Sequence, residues 1–548
     1  MPVSTRRRSA PSGPLEHTGT GQRRQDPGAG ADGDAGHPAG VSAPAAGWWG
    51  SDRLVGSTIL VVTVVGAAVS LVQLSHPGVL FGVSTSDFDT GSYFGAAVLL
   101  VHGHLPYRSF VLMHPPGMAL VLSPVAALSS MTGTGDGIAI CRLLMVGFVA
   151  ADIFLVGRLV RHKGLLVTLI ACSVVALQPD VFTIVRSVEL EPLLVLFCLL
   201  GANVVFRQGA MTEGRAMALG GVLFGLAGAV KVWAVLPVLV VALLSVSKLR
   251  RRLAPFVAGA AGGFLVPSLP FMALAPAAFF RDVVTAQVGR FGTHRTPLVT
   301  RLVSMMGLHD LRALRSLGVP MAVVFVLLVL AGLLVRRTRP RPSSLDWFAA
   351  VTAGLIGCSF LVPEQYFGHY ADFFVPFAAI ALAVAADRLL GPRFVPAGVV
   401  VVAVLAFFLT LDAARYVPAS LRYPSDVAAI EAHVPSGSCV VTDNTALTLA
   451  ADRFVSTKPH CPTIADPFGT SVVEGSGLPL ADGGPVPRRL TAFWLGAIER
   501  ADYVVLTPHS QLRIPATTPI TSYLSRHFDL STYRTRTSTI QIYTRQYR

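Results

Sequence analysis

Charge is what this chain has least of. Asp, Glu, Lys and Arg together make up 14% of its 548 residues, against roughly 25% in soluble domains. Hydrophobic residues make up 52% and mean hydropathy is +0.61, which excludes an ordinary soluble globule. Acidic residues are the scarcer sign, 30 against 44 basic, leaving a net charge of +14. That excess does not describe a nucleic-acid binder. The basic residues fall in short clusters between apolar runs, as in the cytoplasmic loops of a polytopic membrane protein, and no nucleic-acid partner is expected. No Walker A loop is present, so ATP-driven transport has no visible engine. His-x-x-x-His zinc spacing is missing as well. No apolar run follows Arg6, Arg7 and Arg8 closely, so residues 1–50, rich in Gly, Ala, Pro and Ser, read as a disordered cytoplasmic tail and not as a cleavable signal.

Cysteine is sparse too. Of six, Cys141, Cys172, Cys198 and Cys358 lie in apolar runs and read as small buried residues. Cys439 and Cys461 stand alone in the polar C-terminal region. A disulfide between them is a candidate if that region is extracytoplasmic, and two unpaired thiols are the alternative.

What the chain has is apolar runs of helical length, at 54–74, 138–160, 164–180, 192–207, 216–230, 232–247, 253–274, 317–335, 346–362, 371–390 and 394–413. Each is near the roughly 20 residues that cross a bilayer. The fifth and sixth are separate only if the chain turns near Lys231. With the N-terminus inside, Arg158, Arg161 and Lys163, then Arg207 and Arg215, Lys248 to Arg252, Arg336 to Arg341, and Arg388 and Arg393 all fall on the cytoplasmic side. The run 115–130 opens with Pro115-Pro116-Gly117 and holds Pro124. Its length gives about 24 Å of helix against a hydrocarbon core of about 30 Å. It therefore reads as a helix at the outer face. The resulting expectation is a polytopic α-helical membrane protein of about eleven spans (residues 51–413), with residues 414–548 a small extracytoplasmic α/β domain. Ser425–Val434 reads as helix, and Cys439–Asp443, Asp502–Thr507 and Thr539–Thr544 as strands.

Residues with chemistry gather in the loops opposite the basic clusters. The first, 75–137, carries Asp87 and Asp89, a pair that can bind a metal or supply a general base. Glu189-Leu190-Glu191-Pro192 opens the fourth run, and Lys231 sits in an otherwise apolar stretch, where a cation signals a functional site. The long loop 275–316 carries Arg281, Arg290, Arg295, Arg301, Arg312 and Arg315. Arg290 and Arg295 are candidates to hold a phosphate, with attraction to anionic headgroups the plainer account. Tyr366, His369 and Tyr370 lie on the short loop 363–370, where interfacial aromatics are common. Asp152 is mid-span and reads as paired with a nearby cation.

The run Asp89-x-x-x-Tyr93, then Gly103-His104-Leu105-Pro106-Tyr107-Arg108, then His114-Pro115-Pro116-Gly117, resembles the first outer loop of the type-C (GT-C) glycosyltransferases. These include the protein O-mannosyltransferases and the lipid A aminoarabinose transferases. The resemblance implies a polyprenyl-phosphate sugar donor and an acceptor reached from outside. Asp89 matches the first acid of that family's Asp-Glu pair, and Thr90 stands in the second place. His114 falls where relatives carry a Lys that touches the donor phosphate. Arg142 matches a family Arg, Glu191 matches an acid before Pro, and Lys231 lies where the family often has a Lys facing the outer cavity.

The chemistry this implies is transfer to an acceptor hydroxyl whose proton goes to a carboxylate, Asp89 with Asp87 beside it. The departing phosphate needs cations, not an acid. Lys231, Arg142, His114, Arg290 and Arg295 are the candidates. Glu191, Glu189, Tyr93, Tyr107, Arg108, His369 and Tyr370 are candidates for substrate contact. A divalent cation, Mg or Mn, held by Asp87 and Asp89 is an open possibility. Single displacement predicts inversion at the anomeric carbon. The acceptor is a glycan, lipid or protein. The competing reading is a transporter or flippase for a polyprenyl-linked glycan, which tolerates loss of Asp89.

Overall fold

A computed structural model of the chain describes residues 52–76, 78–84, 87–288, 296–308, 316–335, 341–363, 365–390, 397, 400, 425–475, 486–507, 513–534 and 539–546. The N-terminal tail, Arg290, Arg295, Arg312, Arg315 and all of the run 394–413 but residues 397 and 400 lie outside the described residues. Each earlier apolar run coincides with a helix: Asp52–Ser75, Thr134–Val160, Leu165–Leu177, Glu191–Val205, Arg215–Val230, Val235–Ser245, Ala254–Leu274, Gly318–Leu334, Ser344–Leu361 and Tyr370–Leu390. The chain does break at Lys231, whose backbone is extended.

The span count is coarser than the eleven expected. Among the described residues, five helical stretches are long and apolar enough to cross a membrane. A sixth joins them if Leu165–Leu177 and Pro179–Arg186, bent by 50°, form one broken span. The others are shorter than a bilayer needs, because the chain interrupts them. Pro192 opens the helix Glu191–Val205. It is closed by a two-residue hairpin in which Gln208 and Gly209 both take positive φ, as a tight antiparallel turn requires. The run 115–130 forms the helix Gly117–Thr132, of 16 residues.

Two ends of the bundle differ in chemistry. At one end, Glu213 takes Lys248 at 2.6 Å and Arg252 at 3.2 Å, and Lys163 meets Asp346 at 2.7 Å. Basic residues of the turns after the helices Thr134–Val160 and Val235–Ser245 are thus paired at this end. The other end of the helix Glu191–Val205 carries the acids. Small residues let the helices close up: a side chain at Gly221 or Gly263 would strike the backbone of the neighbouring helix, the packing that membrane helices favour. Cys141, Cys172 and Cys198 are buried as expected, but Cys358 is exposed on the face of its helix that turns away from the bundle.

The C-terminal segment is α/β. Its four-stranded sheet runs Val440–Thr442, Tyr503–Leu506, Thr539–Arg545, Phe528–Arg534, with the first pair parallel and the rest antiparallel. Trp494, Leu490, Ile498, Val504 and Phe528 are buried together. Cys439 and Cys461 are disulfide-bonded. This segment does not stand apart from the helices. Thr463 donates to the Ser109 carbonyl at 2.7 Å, Asp452 binds the start of the helix Thr134–Val160 through Thr134, and Gly91 is packed directly against Thr445 and Ala446.

One buried acid in this segment makes stability depend on pH. Burial pushes the Asp443 carboxyl up to about 6, against the hydrogen bonds it accepts from Thr507. Below the unfolded value of 3.8 the group costs nothing. Between pH 4 and 6 the folded chain holds the extra proton, so stability falls as pH rises through that window, by about 3 kcal/mol at most. Asp443→Asn should flatten that slope in thermal unfolding of the full chain. An unchanged slope would assign the dependence elsewhere.

Candidate active site

The helix Phe88–Val101 begins at Asp87, and Asp89 lies in its first turn, where the helix dipole favours a carboxylate. The two acids expected as a pair are divided between different partners. Asp87 is buried in an ion pair with the Arg142 guanidinium at 2.8 Å and accepts the Ser187 hydroxyl at 2.8 Å. Arg142, fully buried, also donates to the carbonyls of Val79, Leu80 and Gly82. Asp87 is therefore not placed to share a metal with Asp89, and Arg142 is not an open cation.

Thr90, standing where the family carries its second acid, has a structural use. Its hydroxyl accepts the Val188 N–H at 2.9 Å and lies 3.2 Å from the Ser187 hydroxyl. That bonding fixes the loop 187–190 so that Glu189 faces Asp89. His369, just before the helix Tyr370–Leu390, completes the group. Asp89, Glu189 and His369 each offer a ligand atom, and these atoms lie within 4.8 Å of one another. Burial, and then the carboxylates of Asp89, Glu191 and Asp87, push the Glu189 carboxyl well above its ordinary range. Two carboxylates so close need a proton or a cation between them. His369 Nδ1 is 3.8 Å from Glu189, and its ring is stacked on Phe367.

Beside this group, Lys231 pairs with Glu191. Its ammonium stands 3.7 Å from the Trp233 ring centre and 4.7 Å from that of Tyr370, a cation–π cage that fixes it at the helix break. Tyr93 meets the His114 ring edge-on at 5.7 Å. Tyr107, at φ 65°, donates its hydroxyl to the His114 carbonyl at 2.7 Å and packs on Phe279, so it braces the loop. Arg108 is exposed.

The structure thus brings together Asp89, Glu189, Glu191, Lys231, His369 and Tyr370, with Tyr93 and His114 alongside. Sequence reasoning missed three contributors: Ser187, Trp233 and Arg513. The last belongs to the C-terminal segment, and its guanidinium lies over the Phe88 ring. Trp233 was legible in principle, since an aromatic two residues from a buried Lys suggests a cage.

Residues 112–363 match Glycosyltransferase family 87. The fold is similar to that of ArnT from Cupriavidus metallidurans. The apo structure gives a TM-score of 0.57 at 14% identity, and the structure bound to undecaprenyl phosphate 0.54 at 16%. Each comparison covers 88% of this chain and 97% of the other. No curated protein sequence matches this chain. The acids lie at one end of the helices, and the C-terminal segment packs over the loop that carries Asp89.

Proposed function

We propose that the enzyme moves a sugar from a polyprenyl-phosphate donor to an acceptor hydroxyl at the outer membrane face, with Asp89 as general base and inversion at the anomeric carbon. The observation that carries this reading is the convergence of Asp89, Glu189 and His369 at the end of the bundle opposite the basic turns. Positive-inside sorting then puts the N-terminus in the cytoplasm and the site outside. A disulfide in the C-terminal segment suits an oxidising compartment. A donor delivered by the membrane explains how an outward-facing enzyme obtains activated sugar. ArnT, whose fold is similar, has been solved with undecaprenyl phosphate bound.

In the reaction the acceptor oxygen attacks the anomeric carbon and its proton passes to Asp89. The glycosidic carbon–oxygen bond breaks, and the electron pair leaves on the phosphate. Glu191 and Lys231, neutralising each other, fix the floor of the site instead of meeting the phosphate as open charges.

The mutual closeness of Asp89, Glu189 and His369 favours a second role for them. Two carboxylates and an imidazole suit a divalent cation such as Mn or Mg, and these three residues would hold it in place of the Asp87–Asp89 pair. Such an ion would supply positive charge beside the departing phosphate.

The test incubates purified protein with a panel of radiolabelled polyprenyl-phosphate sugars, with and without EDTA. We expect lipid-phosphate release and a product of inverted configuration. A retained configuration would sink the single displacement. Loss of activity in EDTA, restored by Mn or Mg, would establish the ion, and full activity in EDTA would exclude it.

A further inference from the structure

The cations that the helical part offers near Asp89 are already committed. Arg142 is held by Asp87 and three carbonyls, and Lys231 by Glu191. A phosphate arriving beside Asp89 finds both neutralised. Arg513 differs. It comes from the C-terminal segment, yet its guanidinium stands over Phe88, the residue next to Asp89. Its Nη1 is buried and has no hydrogen-bond partner among the described residues. The acids nearest to it have other uses. Asp443 accepts the Thr507 N–H at 3.0 Å and its hydroxyl at 2.7 Å, and Asp466 caps the helix Pro467–Glu474 through the Gly469 N–H at 2.8 Å. The backbone at 513 is also fixed: its carbonyl accepts the Ser471 hydroxyl, which in turn accepts the Trp494 indole N–H at 2.8 Å. Trp494 is fully buried. The guanidinium is thus held in place by the C-terminal core and left with an unsatisfied donor at the mouth of the site. Burial pushes its pKa down to about 10, opposed by the charges of Asp443, Asp466 and Asp89, so it remains a cation at neutral pH.

The geometry points to Arg513 as the residue that binds the phosphate of the lipid-linked donor, an anion subsite built by the C-terminal segment over the first outer loop. This rests on the donor reading proposed above. Guanidinium donors match phosphate oxygens in a fork, and the bond to an anion is of the strong, charge-assisted kind. A phosphate there satisfies Nη1 and lies on the same short helix turn as the base. As the glycosidic bond breaks, the phosphate gains one negative charge while the acceptor proton moves to Asp89. Arg513 faces the first change and Asp89 the second. The C-terminal segment is then part of the catalytic site.

The test compares the full-length enzyme with Arg513→Gln and Arg513→Lys, using Arg526→Gln, exposed on the helix Thr518–His527, as control. Undecaprenyl phosphate binding is followed by Trp fluorescence and transfer by lipid-phosphate release. Arg513→Gln should weaken undecaprenyl phosphate binding and raise the donor KM by about tenfold to a hundredfold, the scale of one charged hydrogen bond. The acceptor KM and the melting temperature should stay at the control's values. Arg513→Lys should recover part of the loss. Wild-type donor affinity in Arg513→Gln overturns the proposal. So does a lowered melting temperature with unchanged affinity, which would make Arg513 a bridge between Asp443 and Asp466. Should Arg513→Gln fail to fold, Arg513→Lys carries the same comparison, because a structural bridge would survive it with donor affinity intact. A wild-type protein that binds undecaprenyl phosphate but transfers no sugar defeats the donor reading of the reaction alone, and the binding comparison still decides Arg513.

Discussion

Asp89→Asn should lower the transfer rate by about 10³-fold while leaving undecaprenyl phosphate binding within a factor of a few. The substitution keeps the size and most of the hydrogen-bonding capacity of the side chain, and removes its ability to take a proton. General-base catalysis is worth about 10² to 10⁴ in rate, and no other described carboxylate is placed to substitute. Asp87 is closed off by Arg142 and Ser187. Glu191 is held by Lys231. Glu189 faces the same space, but burial and its acidic neighbours raise its carboxyl well above its ordinary range, so its charged form is disfavoured there. Glu189→Gln should therefore cost far less than Asp89→Asn if no ion is present, and a comparable amount if the three-residue group holds one. An Asp89→Asn enzyme that kept a tenth of wild-type turnover would remove Asp89 from the chemistry. It would also reopen the reading of the chain as a flippase, which has no need of a base.

The helical runs were legible because a bilayer imposes composition. Nothing but continuous apolar sequence satisfies it, and every described run duly forms a helix. Their lengths were less legible. Pro192 and the Gln208-Gly209 turn shorten one helix by local chemistry that a hydropathy window averages away. The loop 75–137 was readable from its motif, since Asp89, Tyr93 and His114 are near in sequence and stay near in space. Glu189 and His369 are separated from Asp89 by long stretches of chain. Their meeting depends on Thr90 holding the loop at Val188, a contact no periodicity announces. The partner of Lys231 was equally hidden. A buried cation signals that an anion lies close, and Glu191 was in view, but sequence cannot tell an ion pair from an open phosphate site. Arg513 was beyond reach for a further reason. It lies among ordinary surface-type residues, and only tertiary docking, such as that of Thr445 and Ala446 against Gly91, brings the C-terminal segment over the acids.

Arg142→Met should destabilise the protein by about 3–5 kcal/mol, the cost of stranding one half of a buried ion pair. The Asp87 carboxylate would be left without its cation in a site from which water is excluded, and the carbonyls of Val79, Leu80 and Gly82 would lose their donor. Asp87→Asn in the same chain removes the stranded charge, so the double variant should be less unstable than the sum of the two single changes. That coupling energy separates the two functions open to Arg142. An arginine that braces the entry to the helix Phe88–Val101 shows strong coupling to Asp87 and an unchanged donor affinity in the fraction of protein that remains folded. An arginine that binds the donor phosphate shows the reverse: weakened undecaprenyl phosphate binding, little loss of stability, and effects that simply add to those of Asp87→Asn. The fourfold bonding of its guanidinium argues for the brace. A donor-affinity defect in a fully stable Arg142→Met enzyme would return it to the phosphate.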